Sequence, residues 1–255
     1  MNILFLTQYD LANPDFGGPV FKVRYLSNYM ANLGHNVKVV TVDDGKDKIN
    51  NLKDLRDCLH NRVQIIRLST LLRYRAVTLN LSILSVAQRQ VPLVDIIHIF
   101  GFYDLLSPFV ARSARTHDIP YVLEPIGMFT PIVRSLLKKK IYHGLIGRRL
   151  VSGAEFIVAT SAQEKKELVN SGLESQRIVI RRNGIDLSEF SNLPERGQMR
   201  SRFGIQPDER ILLYLSRLSP KKNPEMLMRA FAKLDLPRTK LVLAGPNESG
   251  YLEKL

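Results

Sequence analysis

The sequence predicts an α/β protein in which a doubly wound, mostly parallel sheet is followed by the beginning of a second domain of the same kind. Segments with helical spacing separate most of the predicted strands. Near-continuous apolar strands that alternate with helices are typical of a parallel sheet covered on both faces. The apolar runs of buried-strand type in the first domain lie at 2–6, 37–42, 63–68, 94–100, 121–124, 156–159 and 177–180.

Two helices of the first domain are well marked. The first has Pro19 at its start and Gly34 after its last turn, the positions where these residues favour a helix beginning and end. The second opens with a capping box formed by Ser161 and Glu164, directly after a predicted strand. The residues of the first helix predicted to face the core are Val20, Val23, Leu26, Met30 and Leu33.

The predicted organisation is a first domain at 1–186, a linker at 187–206 with no sustained periodicity, and a second domain at 207–255. One βαβ unit of about 50 residues cannot cover both faces of its sheet, so we expect the second domain to be incomplete. Its strand, helix and second strand are predicted at 211–215, 224–234 and 240–245.

Composition narrows the class of partner. The 37 basic and 24 acidic residues give a net charge of +13, which indicates an anionic partner: a nucleic acid, a phospholipid surface or a phosphorylated substrate. The basic residues are spread along the chain without an aromatic and basic platform, which argues against nucleic acid. The single Cys58 excludes an internal disulfide framework. No secretory signal and no apolar run of roughly 20 residues is present, so we expect a cytoplasmic protein.

The clearest candidate anion site is the loop "SRLSPKKN" at 216–223. It follows a predicted strand, and ligands of open α/β sheets bind at the carboxyl ends of strands. Asn223 is a good N-cap for the next helix, whose first backbone N–H groups would lie beside Arg217, Lys221 and Lys222. We therefore predict a phosphate or diphosphate site. The alternative is an ordinary solvated surface loop.

Two other loops follow predicted strands or precede a helix. Gly17 and Gly18 allow a close approach of the backbone to a ligand, or form a simple turn. They are not part of a G-x-G-x-x-G dinucleotide fingerprint, so Asp43 and Asp44 after the second strand only resemble the acidic ribose-binding position. Asn183 and Gly184 follow the last strand of the first domain, either as a turn or as part of a cleft.

These segments together resemble the large retaining glycosyltransferase family that uses the two-Rossmann-domain GT-B fold, often called family 4. The resemblance covers nearly the whole chain and depends on the order and spacing of the motifs. The matching segments are "FGGPVFKVRYLSNYMANLGHNVKVVT" at 16–41, "DIIHIFG" at 95–101, "IPYVLEPIGMF" at 119–129, "ATSAQE" at 159–164, "RRNGID" at 181–186 and "SRLSPKKN" at 216–223.

The resemblance implies a Rossmann-like N-terminal domain for the acceptor and a C-terminal domain, truncated here, for the nucleotide sugar. It implies that Arg217 and Lys222 bind the donor diphosphate, that Gly17 and Gly18 approach it, and that Gly127 lines the acceptor side. The implied reaction transfers a hexose from a nucleoside diphosphate sugar to an acceptor hydroxyl with retention, in bacterial polysaccharide, lipopolysaccharide or glycolipid synthesis. No metal ion or cofactor is expected, since no D-x-D follows a predicted strand and no His or Cys cluster is present.

The sequence departs from the family pattern in two places. Where the family often has a His-Gly pair, this chain has Ile126 and Gly127. His98 and Glu124 are then the candidates for the catalytic polar group of the first domain, although a lone histidine among apolar residues is commonly structural. The family's paired glutamates, seven residues apart, do not occur before the chain ends.

The segment "RSLLKKKIYHGLIGRRLV" at 134–151 combines basic and aliphatic residues at helical spacing. It fits two interpretations, of which one is a helix lying on an anionic membrane, at the inner face, where a lipid-linked acceptor would be met. The alternative is an ordinary helix with Lys138, Lys139 and Lys140 in solvent. In that case the inward residues would be Leu136, Leu137, Ile141, Leu145 and Leu150.

Three other classes of function stay open from the sequence. A NAD-type oxidoreductase or epimerase would share the fold class but requires the missing glycine fingerprint. A nucleic-acid binder would require a steep dependence of affinity on salt. A non-catalytic remnant of a glycosyltransferase would fold or associate through the first domain alone.

Overall fold

The structure is a computed structural model of the 255-residue chain. It describes residues 1–43, 55, 57, 59–74, 77–129, 136–247 and 250–255. Cys58, Asp44 and the start of the 134–151 segment lie outside the described residues. The chain divides into two compact units, Met1–Leu187 and Ser188–Leu255.

Unit 1 is built on a parallel sheet of seven strands within the described residues. In chain order the strands of this unit are β1 Asn2–Thr7, β2 Asn36–Val42, β3 Val63–Leu68, β4 Leu72–Tyr74, β5 Val77–Leu79, β6 Ile96–Phe100, β7 Tyr121–Glu124, β8 Phe156–Ala159 and β9 Ile178–Ile180. The sheet has the order β3-β2-β1-β6-β7-β8-β9, and β4 pairs with β5 as a separate antiparallel hairpin. The predicted α/β class with a parallel sheet is confirmed.

Helices cover both faces of this sheet. Among the described residues, the helices of unit 1 are α1 Gly18–Asn32, α2 Ile83–Gln90, α3 Ser107–Thr116, α4 Leu136–Tyr142, α5 Arg148–Ser152 and α6 Ala162–Asn170. A π-helical turn, His143–Gly147, joins α4 to α5. Short 3-10 helices lie at Pro14–Phe16, Val91–Leu93, Ser175–Arg177 and Leu187–Phe190.

The core of unit 1 consists of two apolar clusters on opposite faces of the sheet. Ile3 and Phe5 of β1 belong to the cluster beneath α1, whereas Leu4 and Leu6 belong to the cluster that includes Val110 of α3. This division follows the two-residue period of a strand, whose successive side chains point to opposite faces. Because both faces are covered, both sets of positions must be apolar, which explains the near-continuous apolar runs.

Helix α1 differs from its prediction at its end. Leu33 was expected to face the core, but the helix ends at Asn32 and the Leu33 side chain is 56% exposed. The backbone N–H of Leu33 still donates to the Tyr29 carbonyl, and Gly34 turns the chain with φ 88°. The predicted glycine stop is therefore correct, and Leu33 belongs to the cap rather than to the buried face.

Unit 2 contains one βαβ unit and two flanking helical turns. Its elements are α7 Gln198–Arg202, β10 Arg210–Leu215, the 3-10 helix Pro220–Lys222, α8 Pro224–Lys233, β11 Thr239–Ala244 and the 3-10 helix Tyr251–Lys254. Strands β10 and β11 pair in parallel, as a βαβ connection requires. Leu213 and Leu215 of β10 are exposed, so the described residues of this unit leave an apolar part of the small sheet uncovered.

Gly245 directly follows β11 and lies against the backbone of the loop after β10, at the carboxyl end of this small sheet. Its φ is 148°, and a Cβ there would overlap the backbone carbonyl of Ser216. We predict that Gly245→Ala destabilises unit 2 by more than the ~1 kcal/mol that alanine typically costs at positive φ alone. Gly204→Ala is the matched control, because Gly204 also has positive φ but has open space around it. Faster amide hydrogen exchange in β10 and β11 for Gly245→Ala than for Gly204→Ala is the expected result; equal exchange would contradict it.

Candidate functional site

A buried carboxylate lies at the carboxyl end of the sheet in unit 1, where it contacts three basic side chains. Glu124 is the last residue of β7 and is 0% exposed. Its Oε2 accepts a hydrogen bond from Nη2 of Arg181 at 2.5 Å and lies 3.0 Å from Nε2 of His98. Its Oε1 pairs with the ammonium group of Lys22. We call Lys22, His98, Glu124 and Arg181 the Glu124 cluster.

Strand register and helix packing bring these four residues together. Glu124 is paired in register with Phe100 and His98 with Val122, so His98 and Glu124 lie on the same face of neighbouring strands. Helix α1 covers this face and carries Lys22. Arg181 directly follows β9, and its backbone N–H continues the ladder by donating to the Ala159 carbonyl at 2.8 Å.

The cluster fixes the protonation of its members. Burial raises the pKa of the Glu124 carboxyl, but the hydrogen bond from His98 and the positive charges of Lys22 and Arg181 outweigh burial and hold that pKa at about 2. Burial lowers the pKa of His98 despite the neighbouring carboxylate, so His98 is neutral at pH 7 and its Nε2–H donates to Glu124. Burial likewise lowers the pKa of Lys22.

These shifts predict a loss of stability in acid. Below pH 6.5 an unfolded histidine binds a proton that folded His98 does not bind, so the unfolded state gains protons and stability falls by up to about 1.4 kcal/mol per pH unit. Glu124 adds a further loss as the pH falls from its unfolded value toward about 2. Urea unfolding at pH 7.5, 6 and 5 measures the effect.

The controls for the acid prediction are two histidine substitutions. His98→Gln is expected to reduce the slope of unfolding free energy between pH 7.5 and 5, because the shifted group is gone. His117→Gln, at an exposed position of the same unit, is expected to leave the slope unchanged. An equal slope in the native chain and in His98→Gln would show that the acid sensitivity has another origin.

The side chains of the Glu124 cluster differ in their exposure to solvent. The Glu124 side chain is fully buried, whereas the Arg181 side chain is 29% exposed and the His98 side chain 12% exposed. The His98 ring is also stacked on Phe100, with centroids 4.0 Å apart, and Phe5 contacts its edge. The Glu124 carboxylate therefore has no exposed surface and is bound by its basic neighbours. Of the four side chains of the cluster, that of Arg181 is the most exposed.

The turn after Glu124 has an unusual backbone. Ile126 and Gly127 have φ values of 55° and 67°, and a β-branched residue rarely adopts positive φ. Glu164 holds the turn, because its Oε1 accepts from the Gly127 N–H at 2.6 Å while its Oε2 accepts from the Thr160 N–H at 2.7 Å. A Cβ at Gly127 would meet no described atom within 4 Å, so this backbone faces open space.

The predicted capping box of α6 is therefore present in part. Ser161 accepts from the Glu164 N–H at 3.1 Å, as predicted. The Glu164 carboxylate bonds Thr160 and Gly127 and thereby links the start of α6 to the turn after β7. A residue predicted as a local cap also stabilises the edge of the candidate site.

The glycine pair lies at the start of α1. Gly17 is the N-cap with φ 66°, a conformation that favours glycine, and Gly18 is the first helical residue. A Cβ at either position would meet no described atom within 4 Å. The loop before them is held in place: Asp10 accepts from Arg67 at 2.8 Å and the Leu11 carbonyl accepts from Arg24. Both glycines thus border open space on a fixed backbone.

The predicted diphosphate loop lies in unit 2, between β10 and α8. Arg217 and Lys222 are both exposed, and Lys222 ends the 3-10 helix before α8. Asn223, with φ 49°, is the N-cap that the sequence predicts, and its Oδ1 accepts from the Met226 N–H at 3.3 Å. The loop therefore has one lysine directly before a capped helix N-terminus and an exposed arginine nearer to β10.

Sequence reasoning paired His98 with Glu124 as candidates, and the structure brings them into contact. Asn183 and Gly184 lie two and three residues after Arg181 and are exposed. Lys22 and Arg181 were missed. Arg181 had a usable signal, because it opens the segment "RRNGID" directly after a strand. Lys22 gave little signal in the sequence, because one lysine among polar and apolar helix residues does not reveal that it is buried.

Within the described part of the chain, no group of three or more His, Cys, Asp or Glu side chains has an arrangement that could hold a metal ion. No helix of that part is both long and apolar enough to cross a membrane.

Comparison with known proteins identifies the family. Residues 17–184 match the family model described as a glycosyl transferase 4-like domain, and residues 195–255 match glycosyl transferases group 1. D-inositol 3-phosphate glycosyltransferase of Kineococcus radiotolerans is 35% identical over 111 residues, which cover 40% of this chain and 26% of the relative. D-inositol 3-phosphate glycosyltransferase 2 of Catenulispora acidiphila is 36% identical over 118 residues, covering 43% and 27%. The match thus spans about a quarter of the length of these curated relatives.

Solved structures show the same fold. Anabaena Alr3699/HepE in complex with UDP and glucose superposes with a TM-score of 0.74 at 18% identity, covering 100% of this chain and 64% of that protein. Sucrose-phosphate synthase from Thermosynechococcus elongatus has a TM-score of 0.68 at 20% identity, covering 98% and 63%. With family models matching along both units, the chain belongs to the group 1 glycosyltransferases of the GT-B fold.

Proposed function

We propose that the chain takes part in the transfer of a hexose from a nucleoside diphosphate sugar to an acceptor hydroxyl, with retention at the anomeric carbon. The observation that carries the proposal is the loop after β10, which contains Arg217 and places Lys222 directly before the capped N-terminus of α8. A helix N-terminus beside two cations suits a diphosphate. The UDP in the structure of Anabaena Alr3699/HepE supports a nucleotide donor.

In this mechanism the donor diphosphate is the leaving group. Negative charge increases on its oxygens as the bond to the sugar breaks, so cations placed beside it stabilise the transition state more than the ground state. Arg217 can donate two parallel hydrogen bonds to phosphate oxygens, whereas Lys222 acts as a compact charge. The backbone N–H groups at the start of α8 add fixed dipoles without a cost of reorganisation.

Unit 1 is proposed to bind the acceptor, a sugar or a lipid-linked sugar, at the carboxyl end of its sheet. His98 is the proposed catalytic polar group, and Glu124 is a positioning residue because it is fully buried. Arg181 is added as a contact for the donor or the acceptor. Gly17, Gly18 and Gly127 provide backbone beside open space, where a ligand can approach closely. Asn183 and Gly184 remain proposed lining residues.

The setting proposed for this reaction is bacterial polysaccharide, lipopolysaccharide or glycolipid synthesis in the cytoplasm, at the inner face of the membrane where the acceptor is lipid-linked. No metal ion or cofactor is part of the proposal, because cationic side chains and a helix N-terminus supply the positive charge that the leaving group requires.

Calorimetric titration of the chain with UDP, GDP, ADP and NAD tests the proposed donor class. At least one nucleoside diphosphate is expected to bind more tightly than NAD, and the matching nucleoside without phosphates is expected to bind much more weakly. Tighter binding of NAD than of all three diphosphates would contradict the proposal and favour an oxidoreductase. The nucleoside diphosphate that binds most tightly is then supplied as its glucose and galactose derivatives, together with a mixture of acceptors. Sugar transfer from either derivative measures turnover, which a non-catalytic remnant would lack.

A further inference from the structure

The segment from α4 to α5 exposes a stripe of apolar side chains. Leu137, Ile141 and Leu145 are 72%, 52% and 70% exposed. They recur at intervals of four residues and therefore line one side of the helical segment. The sequence-based alternative that all of the aliphatic residues pack inward is wrong for these three. Leu150 alone among the described members of that set is buried.

The opposite side of the segment is attached to unit 1. The Tyr142 hydroxyl donates to the Asp104 carbonyl at 2.9 Å, and Nε2 of His143 lies 2.8 Å from the Tyr103 hydroxyl. Gly147 lies so close to Phe102 that a Cβ would approach its ring to 2.9 Å. Because this side is packed, the segment cannot rotate to bury the stripe without breaking these contacts.

Basic residues flank the stripe. Lys138, Lys140, Arg148 and Arg149 are exposed. From residue 136 to residue 153 the sequence has no Asp or Glu, so no acidic side chain of the segment offsets these charges. An apolar stripe between basic residues is typical of a helix that lies in the surface plane of an anionic bilayer.

A groove beside the segment continues this pattern. Its volume is about 600 Å³, and it lies between the α4–α5 segment and the end of α6. Apolar lining comes from Phe129, Val151 and Leu173. The charged lining residues are Lys140, Arg148, Arg177 and one acidic residue, Glu174. Apolar and cationic groups are thus adjacent here too, as a phospholipid, with acyl chains below its phosphate, requires.

We propose that the α4–α5 segment docks unit 1 on an anionic lipid surface. Leu137, Ile141 and Leu145 enter the boundary between headgroups and acyl chains, and the flanking lysines and arginines contact the lipid phosphates. The binding is peripheral, and it weakens with salt because each basic residue near the surface adds about 1 kcal/mol of screened attraction. The inference rests on the proposed function only in naming where the acceptor is met; docking itself requires no sugar transfer.

Vesicle flotation of the full 255-residue chain tests the proposal. The probes are vesicles of phosphatidylcholine alone and of phosphatidylcholine with phosphatidylglycerol, each at low and high salt. Binding to the phosphatidylglycerol vesicles at low salt is expected, with little binding to phosphatidylcholine alone. The triple variant Leu137→Ser, Ile141→Ser, Leu145→Ser is expected to bind about tenfold more weakly or worse, since three leucine-sized side chains no longer leave water.

Matched controls distinguish an effect of these particular positions from a general effect of exposed leucines or of net charge. The triple variant Leu72→Ser, Leu81→Ser, Leu93→Ser changes three other exposed leucines of unit 1 and is expected to bind like the native chain. Lys140→Glu with Arg148→Glu is expected to abolish the preference for phosphatidylglycerol. Arg112→Glu with Lys166→Glu, at exposed positions elsewhere, keeps the same net charge change and is expected to retain the preference.

Four results would overturn the proposal, and the first three concern the exposed stripe. In the first, the folded chain does not bind phosphatidylglycerol vesicles at low salt. In the second, the stripe and control leucine variants lose vesicle binding equally. In the third, the native chain is a dimer in solution and only the stripe variant is a monomer. The third result would assign the stripe to a second copy of the chain. Free glycerol phosphate that competes as strongly as vesicles would assign the groove to a soluble phosphate and also contradict docking. Nucleotide titration of the stripe variant keeps this outcome separate from the donor site, because its affinity for diphosphate is expected to be native.

Discussion

Replacing Glu124 by leucine is expected to lower the free energy of unfolding of unit 1 by about 3–5 kcal/mol, the usual cost of removing one partner from a buried ion pair. The variant leaves Lys22 buried without the carboxylate that compensates its charge. It also removes the acceptor for His98 and Arg181. Urea unfolding at pH 7.5 measures the change.

A double-variant cycle shows whether an uncompensated charge is the cause. Lys22→Met combined with Glu124→Leu is expected to recover a large part of the loss, because both buried charges are then absent. Glu155→Leu, at an exposed position of the same unit, is the control and is expected to change stability by no more than about 0.5 kcal/mol. A loss below about 1 kcal/mol in Glu124→Leu would mean that Lys22 is not held as a charged partner.

The Glu124 cluster has more basic than acidic side chains, because Lys22, His98 and Arg181 share one carboxylate. A carboxylate that is buried beneath basic residues keeps them in place without offering negative charge to an anionic ligand. This arrangement lets the carboxyl end of the sheet stay electropositive while its side chains remain ordered.

The strands of unit 1 were predictable because their signal is local. A parallel strand with both faces covered is apolar at nearly every position, so β3, β7 and β8 have the bounds that the sequence predicts. Strand β6 begins at Ile96 rather than at the predicted residue 94. The 3-10 helix Val91–Leu93 ends immediately before residue 94, so residues 94 and 95 connect this helix to the strand. The hairpin of β4 and β5 was missed, since strands of three residues give too short a pattern to recognise.

The candidate site was less predictable because its contacts are distant in the chain. Lys22 and Glu124 are 102 residues apart, and Arg181 is 57 residues from Glu124. No local pattern encodes such a pairing; it follows only once strand order places β7 near β9 and α1 on the same face. Periodicity also showed the amphipathic character of the 134–151 segment but not which of its aliphatic residues would be buried. That choice depends on Phe102 and Tyr103, which belong to another part of the chain.

Arg217→Ala and Lys222→Ala are each expected to weaken the binding of the preferred nucleoside diphosphate by about 10- to 100-fold. A hydrogen bond between charged groups contributes about 1.5–3 kcal/mol, and each 1.4 kcal/mol corresponds to a factor of ten in Kd. The affinity for the nucleoside without phosphates is expected to stay the same, because neither side chain is proposed to contact the base. Calorimetric titration of each variant with the diphosphate and the nucleoside measures both quantities.

Turnover is expected to fall more steeply than affinity, by about 10²–10³ in kcat, because the charge on the leaving diphosphate is largest in the transition state. Arg217→Lys keeps the charge but loses the paired hydrogen bonds, so it should lie between the native chain and Arg217→Ala. Lys221→Ala changes the neighbouring exposed lysine and is expected to have little effect on either quantity. If Arg217→Ala and Lys222→Ala both bind the diphosphate like the native chain, these residues do not form the donor site. The positive charge for the leaving group must then come from elsewhere, and the partly exposed Arg181 of the Glu124 cluster becomes the first residue to test.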